Sequence, residues 1–360
     1  MNRMVLVCLL LGCGGGSHAT TDGAGTGDGP NFAGCPMLPA DHIFNTRIDA
    51  LPVDPHSADY IATIGDTVRV HLDLGTQTDP QATDYYGIPY NTVHGQALTW
   101  TDVTFTSTDP SLSWNPLSES DCADASHQVV RPCAMKTTPL PIPAMPLVEG
   151  GIQTDQSNYG DHHMLLLDQD ACRLWETFHV YATGSGGWDI FGSAAFDLRS
   201  NKLRPDGWTS ADAAGFPILP LLLRADEASA GMIQHALRFT IPSGSLRTSY
   251  IWPARHQTDN GTSSVTLPPM GQLFRLKASF QIPATWHAQS KAIATALQQY
   301  GMYIADGGSA MYITGEPNAM WADTTFSEVQ TLRASDFEAV DVTPIMQRAG
   351  FDPNSAAVPP

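Results

Sequence analysis

Alternation of apolar and polar residues, more than helical spacing, organises this chain. Val68-Arg-Val-His-Leu-Asp-Leu74 places every second residue on an apolar face, the period of a half-buried strand. Val103-Thr-Phe-Thr106 does the same. Strand-like runs at residues 162–168 and 173–181 flank Gln169-Asp-Ala-Cys172 and predict a β-hairpin. Residues 233–241, 249–252 and 273–282 read as further strands. Residues 302–305 and 311–314 bracket the turn-rich Asp306-Gly-Gly-Ser309, which predicts a second hairpin. One long helix is expected over residues 289–300, where Ile293, Ala296, Leu297 and Tyr300 recur at helical spacing and Gly301 ends the run. A short helix over residues 57–65 takes Ser57 as N-cap and Gly65 as stop, and a helical turn fits residues 210–215. Residues 139–146 hold four prolines in eight positions and predict an extended loop. The sum is a mainly β protein, an antiparallel sandwich or jelly-roll-like domain with a few helices.

The N-terminus breaks this pattern. Met1-Asn-Arg-Met-Val-Leu-Val-Cys-Leu-Leu-Leu-Gly-Cys13 has a positive head at Arg3 and an apolar run over residues 4–11. That run is far short of the roughly 20 residues a membrane-spanning helix needs. It has the form of a secretory signal peptide. Its end, Leu10-Leu-Gly-Cys13, resembles the lipobox of bacterial lipoproteins, which implies cleavage before Cys13 and lipid on the Cys13 thiol. Residues 14–34 are Gly, Thr, Ser and Asp with almost no large apolar side chain, a composition that suits a flexible tether. The expected organisation is therefore a signal peptide at 1–12, a lipidated cysteine and tether at 13–34, and a single large β-rich domain at 35–360. The competing reading is a secreted protein with a disordered N-terminus and an unmodified Cys13.

Charge narrows the partners. The 360 residues carry 36 acidic against 18 basic side chains, a net charge of -18. Nucleic acid is an unexpected partner, because phosphate binding needs clustered Lys and Arg. Charged residues make up only 15% of the chain while Gly and Pro are abundant, which suits an exported β-rich protein with many loops. Of six cysteines, Cys8 leaves with the signal peptide and Cys13 takes lipid. Cys35, Cys122, Cys133 and Cys172 remain, an even number in an oxidising compartment. A short-loop disulfide joins Cys122 to Cys133 in the preferred pairing, with Cys35–Cys172 as the second bridge. A zinc site competes, but the spacings lack any C-x-x-C. No cofactor is expected.

From Asp161 to about Asp336 the chain resembles an uncharacterised family of exported bacterial proteins. The resemblance rests on Asp161-His-His163, Leu203-Arg-Pro-Asp-Gly-Trp-Thr-Ser-Ala-Asp-Ala-Ala-Gly215, Arg224-Ala-Asp-Glu227, His235-Ala-Leu-Arg-Phe-Thr240, Trp252-Pro-Ala-Arg-His256, Leu267-Pro-Pro-Met-Gly271, Arg275-Leu-Lys-Ala-Ser-Phe280 and Ala305-Asp-Gly-Gly-Ser309. Weaker likeness extends to Gly87-Ile-Pro-Tyr90 and Val148-Glu-Gly-Gly151. It implies no activity. His162 stands where the family pattern has Arg, which weakens a role for that position.

The candidate chemistry sits in loops. Arg204, Asp206, Trp208 and Asp212 gather two carboxylates, a guanidinium and an indole in one turn-rich stretch. An exposed Trp beside carboxylates suits a sugar ring, with apolar stacking and directional acceptors together. The bland alternative makes Asp206 a turn residue, Ser210 a cap and Trp208 core. Glu227 reads as a general acid, nucleophile or base, or else as an acidic residue favoured at a helix N-terminus. His163 and His256 are neutral-pH proton carriers or structural imidazoles. His162 and His163 are expected on opposite faces of a strand, one toward a cleft and one toward water. Arg255, His256 and Tyr250 have the chemistry of a polysaccharide lyase, with Arg neutralising a uronate. A metal site from Asp161, His163 and His256 lacks a selecting H-x-x-x-H or H-x-H spacing. No G-x-S-x-G elbow, P-loop or dinucleotide fingerprint occurs.

The functional expectation is a cell-envelope carbohydrate-active enzyme, a glycoside hydrolase or polysaccharide lyase acting on a polysaccharide or other glycan. Asp212 and Glu227 are its expected carboxylates, with His163, Arg255 and His256 in support and Trp208, Trp252, Asp161 and Tyr250 on the substrate. A non-catalytic surface lipoprotein that binds glycan or protein is the alternative.

Overall fold

Met164-Leu-Leu-Leu167 is apolar at four consecutive positions, which a strand tolerates only when both its faces are covered. The computed structural model describes residues 29–82, 84–106, 116–157, 160–258 and 262–360. The proposed signal peptide, Cys13 and most of the tether lie outside the described residues. Strand Met164–Asp168 is an inner strand of a four-stranded sheet with Arg173–Phe178 and Gly192–Asp197 on one side and Tyr90–Val93 on the other. Leu165, Leu167 and Leu174 enter a large core from one face of it. Met164, Leu166 and Trp175 enter a smaller core from the other. A second four-stranded sheet closes the small core with Val103, Leu140, Trp188 and Ile190. A six-stranded sheet closes the large one, in the order Phe337–Ala339, Leu273–Leu276, Met302–Gly307, Leu237–Ile241, Tyr312–Thr314, His71–Asp73.

The protein is mainly β, 27% strand against 17% helix, and its stacked sheets are consistent with the expected sandwich. Most paired strands that are adjacent in sequence run antiparallel, the exception being Arg247–Tyr250 with Pro269–Met270, which is parallel. Parallel pairs arise where a long crossover returns the chain, as between Leu237–Ile241 and Met302–Gly307.

The first expected hairpin forms, with Arg173 opposite Asp168 and Thr177 opposite Met164. Cys172 takes a left-handed φ of 45° at its turn and is joined to Cys35, with the two Cα atoms 5.4 Å apart. Cys122 is joined to Cys133, Cα to Cα 5.0 Å. The long helix spans Ala288–Gln299, one residue out of register with expectation, and Gly301 follows it at φ 73°. The short helix Ser57–Ile64 also forms, but Ser57 does not cap it. Its hydroxyl instead accepts from the Ala339 N–H at 2.8 Å, tying the helix to the sheet edge.

Elsewhere tertiary context overrides the pattern. The expected second hairpin is absent: Leu237–Ile241 inserts between Met302–Gly307 and Tyr312–Thr314 and pairs with both. The connecting residues cross its end, with Gly308 N–H donating to Ile241 O and Met311 N–H to Thr240 O. Only His71–Asp73 of the alternating run 68–74 joins the sheet, at its edge. Pro139 lies within the strand Thr137–Leu140, tolerated because that strand is also an edge. Residues 210–215 make turns and no helix. At the tether's end, Asn31–Phe32 already pairs with Cys35–Pro36, since Phe32 packs edge-on against Tyr90 at 5.1 Å.

Candidate functional site

One irregularity in the six-stranded sheet sets the site. Arg238 registers with Tyr303 and Phe239 with Ile304, but Thr240 registers with Asp306, leaving Ala305 as an extra residue. Such a bulge re-aims the side chains beyond it. Asp306 therefore shares a face with Arg238 and Thr240, where regular pairing would have turned Ala305 there. On the other flank Thr314 sits opposite Asp73 and Tyr312 opposite His71. Asp73, Thr314, Arg238, Tyr312, Thr240 and Asp306 form one wall of a cleft of about 240 Å³. Glu149, Asp161 and His163 form the facing wall.

His162 explains how that second wall is built. The strand starts only at Met164, and His162 is left-handed at φ 43°. The alternation expected of residues 162 and 163 is thereby broken. Both rings are buried, against the expectation that one meets water. His162 packs on Tyr181 at 5.0 Å, and His163 turns into the cleft floor.

The electrostatics divide the acids. His163 Nδ1 meets Glu149 Oε2 at 2.6 Å, and its Nε2 meets Ala211 O at 3.0 Å. Burial alone would lower the imidazole, but the Glu149 charge and hydrogen bond outweigh it and raise its pKa to about 10. The same pair holds Glu149 below the usual range despite burial. Asp306 goes the other way: burial, then the charges of Asp212 and Asp161, push it up to about 8, so it keeps its proton at neutral pH. Asp73 is also raised, by burial and then by Glu149. Asp161 is an exposed residue at the rim, raised by desolvation within the cleft and by Glu149 against the pull of His163. Its carboxylate has no hydrogen-bond or ion-pair partner among the described residues. Tyr312 adds an aromatic surface, stacked on His71 with centroids 4.0 Å apart.

Behind the cleft, residues 211–213 act as a brace. Ala211 O meets His163, the Ala213 N–H donates to Asp306 Oδ2 at 3.0 Å, and Ala213 O meets His256 Nδ1 at 2.9 Å. Asp212 is fully buried and grips Arg238, which donates from Nε to Oδ2 at 2.9 Å and from Nη2 to Oδ1 at 2.5 Å. Arg238 Nη1 donates to Thr314. That pairing overcomes burial and holds the guanidinium above its ordinary pKa.

Of the residues singled out from sequence, Asp161 and His163 line the cleft, while Asp212 and His256 brace it from behind. Glu227 lies elsewhere. It is the third residue of helix Ala225–Ala230, held by Arg224 at 2.7 Å and His235 at 2.8 Å. Those charges outweigh burial and lower its pKa. Arg255 anchors the C-terminal segment through Pro353 O and Asn354. Trp252 is buried there too, its indole N–H donating to Ser355 O. Tyr250 meets Asp206, and Trp208 covers Arg204 at 5.7 Å. None of these four lines the cleft.

Sequence reading missed Asp73, Glu149, Arg238, Asp306 and Tyr312. One signal was present. An acidic residue followed by two glycines occurs at Glu149-Gly-Gly151 and at Asp306-Gly-Gly308, and both acids reach the cleft. At Gly307 a Cβ would overlap the Ser243 hydroxyl, so a larger residue beside Asp306 would force Ser243 to turn away.

Fold and cleft define a disulfide-bonded, mainly β protein with an acidic pocket between two sheets. No protein family, curated protein or solved structure matches the chain. Among the described residues no group of three His, Cys, Asp or Glu is arranged to hold a metal ion. No helix among them is long and apolar enough to cross a membrane.

Proposed function

We propose that this protein is a carbohydrate-active enzyme of the glycoside hydrolase type, exported and held at the cell envelope by lipid on Cys13. The observation that carries the reading is a pair of carboxyl groups that line one cleft in different surroundings. Asp306 retains its proton up to about pH 8, whereas Asp161 is accessible and unpartnered. Glycosidic cleavage asks for that division: one carboxylic acid protonates the leaving oxygen and one carboxylate acts as base or nucleophile. Asp306 is the acid in this scheme and Asp161 the carboxylate. His163 stabilises the charge of Asp161, and Tyr312 offers a ring face for a sugar to stack on. The cleft volume, about 240 Å³, suits one sugar ring.

Hydrolysis is favoured over lyase chemistry by the guanidinium groups. Arg238 is held by Asp212 and Thr314, and Arg255 lies outside the cleft against the C-terminal segment, so neither is placed to neutralise a uronate there.

The test is a polysaccharide panel read for both reducing ends and unsaturated products. Reducing ends are expected from a neutral glycan. Asp306→Asn should lower kcat by about 100-fold or more with substrate binding retained, and the wild-type rate should fall as pH rises through about 8, where Asp306 loses its proton. Full turnover in both Asp306→Asn and Asp161→Asn would sink the assignment. Anchoring is tested separately: Cys13→Ser should move the protein from the membrane fraction to the soluble one, and an unchanged distribution would contradict lipidation.

A further inference from the structure

A larger cavity, of about 330 Å³, is lined in part by Arg204 and residues 215–217, and its charge is anomalous for this chain. The protein has only 18 basic side chains and a net charge of -18, yet Arg131, Arg173, Lys202 and Arg204 all line this one cavity. Asp197 is the single acid lining it.

The four cations are not equivalent. Arg204 is consumed: Nε donates to Thr209 O, Nη1 to Asp121 Oδ2 and Nη2 to Glu119 O. Arg131 shares the same Asp121, through Nε at 2.5 Å and Nη2 at 2.7 Å. One buried carboxylate thus serves two guanidinium groups, and the charge of Glu119 also acts on Arg204. Arg173 and Lys202 have no ion-pair or side-chain hydrogen-bond partner among the described residues. Asp197 faces Arg173 across the strand pair, but its Oδ1 accepts the Arg199 N–H instead. Among the residues that line the cavity itself four cations stand against Asp197 alone, while Asp121 and Glu119 act on Arg204 and Asp168 sits opposite Arg173 in the sheet. Low-dielectric walls concentrate such a field.

Those walls are apolar and aromatic. Phe44, Phe196 and Phe216 line the cavity beside Leu38 and Pro217. His42 also lines it, but burial lowers its pKa to about 3, so it adds no charge near neutrality. The Arg204 guanidinium lies over the Phe196 ring at 5.8 Å, and an aromatic lining with two unpartnered cations suits a ligand with a flat apolar body and one negative group.

We propose that this cavity is a binding site for a ring-bearing carboxylate, with Arg173 and Lys202 as its anion clamp. The carboxylate takes the two unpartnered cations, Arg173 by a bidentate fork and Lys202 as a point charge. The ring packs on the Phe196 and Phe216 side. The shared chemistry has two sources, a sugar acid or an aromatic acid. The site is separate from the acidic cleft and stands whether or not that cleft is catalytic.

The experiment is calorimetric titration of the full-length, detergent-solubilised protein with glucuronate, with benzoate and with glucose at low salt. Binding of glucuronate alone assigns a sugar acid and of benzoate alone an aromatic acid; each supports the site, provided that glucose does not bind. Arg173→Gln should weaken binding at least tenfold, Arg173→Lys should restore part of it, and raised salt should weaken it further. Lys202→Gln, at an exposed position, is the variant to use if Arg173→Gln does not fold. No binding of either acid at millimolar concentration, equal binding of glucose, or unchanged affinity in both Gln variants would overturn the proposal.

Discussion

Asp212 shows how one residue changes meaning between sequence and structure. In a loop with Trp and Arg neighbours it reads as a catalytic carboxylate. In the fold it is fully buried and bidentate on Arg238. It is a positioning residue, because it fixes the backbone that donates to Asp306 and meets His163. Removing one partner of a buried ion pair strands the other charge, at a cost of about 3–5 kcal/mol. Asp212→Ala should therefore lower stability by that amount in denaturant melts. A loss of activity with unchanged stability would instead put Asp212 on the substrate. His163 was singled out from its place before an apolar strand, and it lines the cleft. Asp306 was not: its sequence context is a turn signal, and its proton affinity comes from burial beside charges more than 90 positions distant, Asp212 and Asp161.

At the scale of elements, the decisive feature is the bulge at Ala305. Period-two alternation would place Tyr303 and Ala305 on one face and Asp306 on the other. The extra residue lets Tyr303 pack on Phe44 and Phe216 in the core while Asp306 enters the cleft. Deleting Ala305 should restore regular pairing and turn Asp306 out of the cleft, with lost turnover and a lower Tm. A deletion variant with wild-type turnover would refute this role. The second hairpin failed for a related reason. Turn residues at 306–309 specify that the chain reverses, but not which strand lies beside it. Leu237–Ile241, buried along one face, outcompetes local pairing by offering hydrogen bonds on both edges. The helix Ala288–Gln299 was legible because its signal is local, an apolar stripe with a glycine stop.

For the whole molecule, two cores share a central sheet, and ionisable groups lie within the packing. Glu176 is fully buried on that sheet and accepts the N–H groups of Ile218 and Leu219. Burial raises its pKa to about 7 in spite of those bonds. Between its unfolded value near 4.5 and about 7 the folded state keeps a proton that the unfolded state has lost. Stability therefore falls as pH rises across that window, by roughly 3 kcal/mol. Asp306 acts in the same direction from about pH 4 to 8, across the same window, and His163 from about 6.5 to 10. Glu176→Gln should flatten the decline between pH 5 and 7 in melts followed by circular dichroism (roughly the window set by the two pKa values). An unchanged slope would show that Glu176 is ionised in the folded protein.

The sequence alone determined what local pattern and composition can carry. Alternation fixed a β-rich chain, and an even set of cysteines gave two bridges that form as paired. The proposed envelope address rests on the same kind of local pattern, an apolar run ended by a cysteine. The cleft belongs to the tertiary structure. Its acids come from positions 73, 149, 161 and 306, far apart in the chain, and their protonation depends on burial and on one another's charge. A sequence lists those groups. Only packing decides which of them share a face, lose their water and meet.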